Sequence, residues 1–170
     1  MLPLGTGTER KPALMDRSEF NEAFGHISPD GRWVAYSSDE SGTNEIYVRP
    51  FDGSAATGSS SASKTSVTGK WMVSKDGGIG ARWSHDGNEL FYLSAVGGTI
   101  MAVDVSTRGV FQAGVPRPLF KVPAGVLFWD VSSDGKRFVM AAPSASEVSA
   151  GPAASSPMTV VLNWQAALKK

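Results

Sequence analysis

The chain has 170 residues, 41% of them apolar, with 16 basic and 16 acidic side chains. That length suits one compact domain and is short for two, and the balanced charge supplies no global field to recruit nucleic acid or anionic lipid. There is no cysteine, which removes disulfides, thiolate metal ligands and cysteine nucleophiles together.

The opening stretch, MLPLGTGTERKPALMD, has neither a basic n-region nor an apolar h-region, so no signal peptide is expected in it. No run approaches the ~18 apolar residues that a membrane-spanning helix needs. PALMD (12–16) reads as a strand that either ends an earlier repeat or completes the last sheet, and the sequence does not choose. Helical character is confined to DRSEFNEA (16–23) and NWQAALKK (163–170), a turn or two each.

The organising feature comes next. SPDGRWVAYSS (28–38) is written again as SHDGNELFYLS (84–94) and SSDGKRFVMAA (132–142). Asp30-Gly31, Asp86-Gly87 and Asp134-Gly135 are hairpin corners: glycine supplies positive φ, and aspartate bonds nearby backbone amides. Pro29 presets φ in the first copy, whereas His85 and Ser133 stand there later. A short apolar stretch precedes each corner, EAFGHI (22–27), GARW (80–83) and LFWDV (127–131). A strand follows it. Trp33, Ala35 and Ser37 share one face and Val34 and Tyr36 the other, both faces largely apolar, as for a sheet covered on two sides.

Third strands are expected at NEIYVRPF (44–51), GTIMAVDV (98–105) and MTVVLNW (158–164), and fourth strands at KWMVS (70–74) and PLFKV (118–122). The small, polar stretches 54–66 and 143–157 read as flexible surface loops that lengthen the repeats. Four short antiparallel strands per roughly 40–50 residues is the pattern of propeller blades, which stack because one sheet cannot cover its own two faces. The expected fold is all-β, a partial propeller of about three blades, with motifs at about 22–74, 80–122 and 127–168 of a single domain.

The SPDG-type turn, DESGTNEIYVRPF, GKWMVSKDGGIGARWSHDGNELFYLS and the terminal VVLNW together resemble the WD40-like repeats of TolB-like β-propellers. The likeness extends over about 11–168 and is strongest to the copies at the C-terminal end of bacterial serine/threonine kinase chains. True WD repeats differ, since no Gly-His pair here is followed at the proper distance by Trp-Asp. The resemblance implies a binding or docking surface, not a site of chemistry, and a ring of six blades or so. It therefore implies that this chain is the C-terminal part of a longer propeller whose upstream blades are missing. In the kinase chains the propeller lies beyond a membrane span, which implies an extracytoplasmic place in such a parent. None of the kinase signatures (Gly-rich loop, strand lysine, His-Arg-Asp loop) occurs here.

Candidate chemistry is sparse. Serines are many, but no G-x-S-x-G elbow exists, and His26 and His85 read as strand and turn filler. Asp39, Glu40 and Glu45 share a loop without the regular spacing of a calcium site. DGGIGA (76–81) lacks a phosphate-loop fingerprint and reads as a linker between sheets that needs positive φ. The three corner aspartates recur once per repeat, which suits a structural role better than a catalytic pair. Trp33, Trp71, Trp83, Trp129 and Trp164 read as packing, since a nucleic-acid stacking platform would carry surplus positive charge. The expectation is thus a non-enzymatic module with no cofactor or metal, binding an unknown protein or small ligand. The alternative is the propeller portion of a prolyl-oligopeptidase-type peptidase, gating substrate access. Uncovered end faces would favour self-association.

Overall fold

The computed structural model describes residues 18–51, 69–126 and 128–142, and the backbone of 158–162. The expected loops 54–66 and 143–157, PALMD, NWQAALKK and Trp164 fall outside the described residues. Within them every regular element is a strand. β1 (Glu22–Ile27), β2 (Trp33–Ser38), β3 (Glu45–Pro50) and β4 (Trp71–Met72) form one antiparallel sheet in sequence order. Glu22 and Ala23, read above as part of a possible helical turn, open β1 instead.

A second sheet takes β5 (Gly78–Trp83), β6 (Glu89–Ser94) and β7 (Thr99–Ser106), with β8 (Gln112–Ala113) and β9 (Arg117–Lys121) both pairing β7. A third takes β10 (Phe128–Val131), β11 (Arg137–Ala141) and β12 (Met158–Leu162).

Each repeat turns at a corner held by the same bonds. In the first, the Ser28 hydroxyl donates to Asp30 Oδ1 at 2.6 Å and accepts from the Trp33 amide at 3.0 Å. Asp30 Oδ1 also accepts from the Arg32 amide at 3.1 Å, and the Gly31 amide donates to the Ser28 carbonyl at 2.9 Å. Ser84, Asp86, Gly87, Asn88 and Glu89 repeat the set, as do Ser132, Asp134, Gly135, Lys136 and Arg137. The three glycines sit at φ 71°, 71° and 68°, where a Cβ costs energy. The serine is the pivot: one hydroxyl ties the aspartate to the first residue of the next strand. These bonds hold the three carboxylates below their ordinary range. Around Asp86 and Asp134 the serine hydroxyl is the foremost cause; Asp30 is lowered despite partial burial that pushes the other way.

Strand alternation then sorts the side chains between neighbouring sheets. Leu90 and Tyr92 of β6 and Val103 and Val105 of β7 pack against Trp33, Ala35, Ile46 and Val48 of the first sheet. Phe91, Ile100 and Ala102, one residue out of phase, pack with Trp129, Phe138 and Met140 of the third. The middle sheet is covered on both faces. On the far side of the first sheet Val34, Tyr36 and Tyr47 form a smaller cluster with Phe51, and Arg49 and Lys70 lie over the two tyrosine rings.

Ser84 is 6% exposed and its hydroxyl closes a corner between two buried strands. Ser84→Ala strands the Glu89 amide and is expected to cost about 1–3 kcal/mol, whereas Ser132→Ala, at a more open corner, costs less than about 1 kcal/mol. Urea unfolding of the two variants beside the wild type checks the order.

Candidate functional site at the inner edge

The first strands of the three sheets, β1, β5 and β10, are each the free edge of their own sheet, and they lie side by side. In a ring of such sheets this edge faces the axis. Counted from the corner aspartates, His26, Arg82 and Asp130 occupy one and the same repeat position, four residues upstream. Phe24, Gly80 and Phe128 stand six upstream. The corners repeat their residues; the position six upstream holds phenylalanine twice, and the position four upstream differs in every copy.

Bulges set the local geometry. Pairing skips between Ala23 and His26 in β1 and between Ile79 and Arg82 in β5, at equivalent places. Phe24 (φ 56°) and Gly80 (φ 66°) occupy the left-handed region at the bulge. For phenylalanine that conformation is strained. Phe24 is also 60% exposed at the edge. Such bulges keep an open strand edge from pairing with other chains. Gly80 is further restricted, since a Cβ there would meet Trp129 Nε1 at 3.3 Å, and its amide donates to Ser37 Oγ at 3.1 Å.

His26 and Arg82 each reach the next sheet, and Asp130 receives Arg82 from the one before. His26 Nδ1 accepts from the Trp83 amide at 3.4 Å, while Trp83 Nε1 donates to the His26 carbonyl at 2.9 Å. With Nδ1 as acceptor, the proton of the neutral imidazole sits on Nε2. Burial, and then the Arg82 cation, hold the His26 pKa below its ordinary value of 6.5; Asp130 opposes them. Arg82 Nε pairs with Asp130 Oδ1 at 3.4 Å, and Nη1 donates to the Ala81 carbonyl at 2.9 Å. Its guanidinium lies 5.5 Å from the Trp129 ring centre and 5.8 Å from that of Phe128. Cation, carboxylate and exposed aromatic surface thus meet at one edge.

The other candidates disperse. Asp30, Asp86 and Asp134 are each engaged in their own corner. Asp39 accepts from the amide and side chain of Asn21, Glu40 pairs with Lys70, and Glu45 is buried. Glu45 accepts from the Ser74 hydroxyl and, at 2.9 Å, from the Gly77 amide, so it clamps the linker to β3. Burial, together with the carboxylates of Glu45 and Asp76, pushes the neighbouring Tyr92 phenol up to about 12. Asp76 and Gly77 in DGGIGA both take positive φ between the first two sheets. His85 is exposed at its corner. Trp33, Trp83 and Trp129 are buried and Trp71 is half-buried. Among the described residues no group of three or more His, Asp and Glu could hold a metal, and no helix is long and apolar enough to cross a membrane.

Arg82 and Asp130 did not stand out in the sequence, because alignment on the corners drew attention to what repeats. The signal was the reverse: the position two before each constant serine holds histidine, arginine and aspartate in turn.

No protein-family model matches the chain. Among curated proteins, dipeptidyl-peptidase 5 of Porphyromonas endodontalis is 26% identical over 122 residues, 68% of this chain and 15% of that protein. A Bacteroides fragilis structure, provisionally assigned as a 6-phosphogluconolactonase, superposes with a TM-score of 0.51 at 16% identity. That match covers 85% of this chain and 44% of the other. The oligogalacturonate lyase of Vibrio parahaemolyticus gives a TM-score of 0.49 at 16% identity, over 75% of this chain and 32% of that one. The chain therefore spans a small part of the curated relative and less than half of these structures. The fold is all-β and propeller-like.

A lowered histidine pKa makes a pH prediction. Well above pH 6.5 His26 is neutral in both folded and unfolded chains. As pH falls below 6.5 the unfolded chain takes the proton first, so stability declines until the folded pKa is passed. The melting temperature of the wild type is expected to drop between pH 7 and 5, and that of His26→Asn to drop less. The corner aspartates act only near and below pH 4, since their stabilisation is lost as pH falls through their lowered values.

Proposed function

We propose that the chain is a non-catalytic propeller module that binds a protein or small ligand at the edge formed by β1, β5 and β10. On this reading it is the C-terminal part of a longer TolB-like sensor or scaffold propeller, of the kind carried by some serine/threonine kinase chains. The observation that supports it most directly is the contrast between a thrice-repeated corner and the unlike residues His26, Arg82 and Asp130 in one repeat position. A frame that repeats while one edge position varies is how propeller-like scaffolds differentiate a surface without altering the fold. The three side chains do not form a nucleophile–base pair: His26 Nδ1 is engaged by backbone and Arg82 lies beside Asp130.

The similarity to dipeptidyl-peptidase 5 favours a second reading, the propeller portion of a peptidase, in which the same edge would screen substrates ahead of a separate hydrolase domain. A complete reading frame encoding an α/β-hydrolase with a nucleophile elbow would favour that reading over the sensor. Both readings predict that the 170-residue chain itself hydrolyses no dipeptidyl chromogenic substrate. Turnover abolished by His26→Ala would overturn the non-catalytic assignment.

Val139 of β11, out of phase with the buried Phe138 and Met140, is half-buried. Without further sheets the module is expected to self-associate through such surface. Sedimentation velocity at micromolar concentration is expected to show dimers or larger species, and a compact monomer counts against it.

A further inference from the structure

We infer that Arg82 is the anchor for an organic carboxylate that carries an apolar group, the carboxylate on the guanidinium and the apolar group on Phe128. The inference rests on the inner-edge reading above and narrows it to a ligand class. Arg82 has a side chain only 14% exposed, yet its charge is only partly answered. The Asp130 pair is loose at 3.4 Å and involves Nε; Nη1 is held by the Ala81 carbonyl. Nη2 has no hydrogen-bond partner among the described residues. A guanidinium packed on Trp129 and Phe128 is shielded from water on that side, and an anion bound there interacts more strongly than one in bulk solvent. The fork geometry of arginine matches a carboxylate in particular.

The apolar half follows from exposure. Trp129 is buried and its ring is closed to a ligand, whereas Phe128, more than half exposed beside the same guanidinium, offers open aromatic surface. Asp130, with a side chain 50% exposed, competes with the ligand for Arg82 and sets the affinity low. Two sources carry the required chemistry, a free apolar carboxylic acid and the C-terminus of a peptide that ends in an apolar residue.

The test uses the full chain and isothermal calorimetry with N-acetyl-phenylalanine, its amide, and an N-acetylated tetrapeptide ending in phenylalanine with a free carboxylate. The acids are expected to bind and the amide to bind about tenfold more weakly or worse, the loss of one charge-assisted bond. Arg82→Gln abolishes the preference for acid over amide, and Phe128→Ser weakens both acids several-fold. Asp130→Asn removes the competitor and is expected to tighten acid binding, a gain that a purely structural Arg82 would not produce. Tighter binding of the tetrapeptide than of the amino acid assigns the site to chain termini, and equal binding assigns it to free acids. Failure of both acids to bind, equal affinity for acid and amide, or an Asp130→Asn chain with unchanged or weaker binding overturns the inference. Equal affinity that falls with His26→Ala would overturn the carboxylate while sparing the binding edge; hydrolysis of the tetrapeptide would overturn the non-catalytic assignment while sparing the carboxylate.

Discussion

The middle sheet is apolar on both faces, and the rest of the structure follows from that constraint. Alternation sends Leu90 and Tyr92 one way and Phe91 the other, so neither face can be left to water. A hairpin or a single sheet cannot satisfy such a sequence. Sheets on each side can, and the first and third supply Trp33, Ile46 and Val48 on one side and Trp129, Phe138 and Met140 on the other. Once stacking is required, sheets of like build, each with its first two strands joined by the same corner, are the simplest means of providing the cover.

The Ser-Asp-Gly corner makes that repetition simple to encode. Its bonds are local, closing within six residues from the serine to the second residue after the glycine. The corner needs nothing from its neighbours, so it can recur at intervals of different length and leave the strands beside it free to differ. This is why the strands after the corners share few residues: Tyr36 and Ser38 correspond to Tyr92 and Ser94, and the third strand has neither. WVAYSS, ELFYLS and RFVMA hold their faces by period alone.

That locality also governs what the sequence discloses. Corners and alternation are short-range signals, so the strands at 33–38, 45–50, 89–94 and 99–106, and the two faces of the first, could be read directly. The serine's double role could not be, since it depends on a bond to a residue five positions on. Glu45 looked like a loop carboxylate because its neighbours are polar; its burial comes from Ser74 and Gly77, brought to it by the β3–β4 pairing. The left-handed Phe24 carries no glycine to announce it and is found only through its equivalence with Gly80. The Arg82–Asp130 pair joins positions 48 residues apart and exists only once the sheets are stacked.

The inner edge is where the constraint relaxes. Residues on β6 and β7 are fixed by two neighbouring sheets, but β1, β5 and β10 have one strand edge without a partner in their own sheet. The bulges in β1 and β5 lift that edge out of regular pairing and turn the residue four before the aspartate toward the next sheet. Such a residue is partly buried, which makes a charge there expensive unless it is compensated. Arg82 is compensated incompletely, by one loose carboxylate and two rings. A purely structural junction would gain from an apolar side chain at this position, as buried ion pairs seldom outperform well-packed hydrophobic ones. On the proposed reading, the histidine, arginine and aspartate that share this repeat position serve what the edge contacts and not the stacking of the sheets.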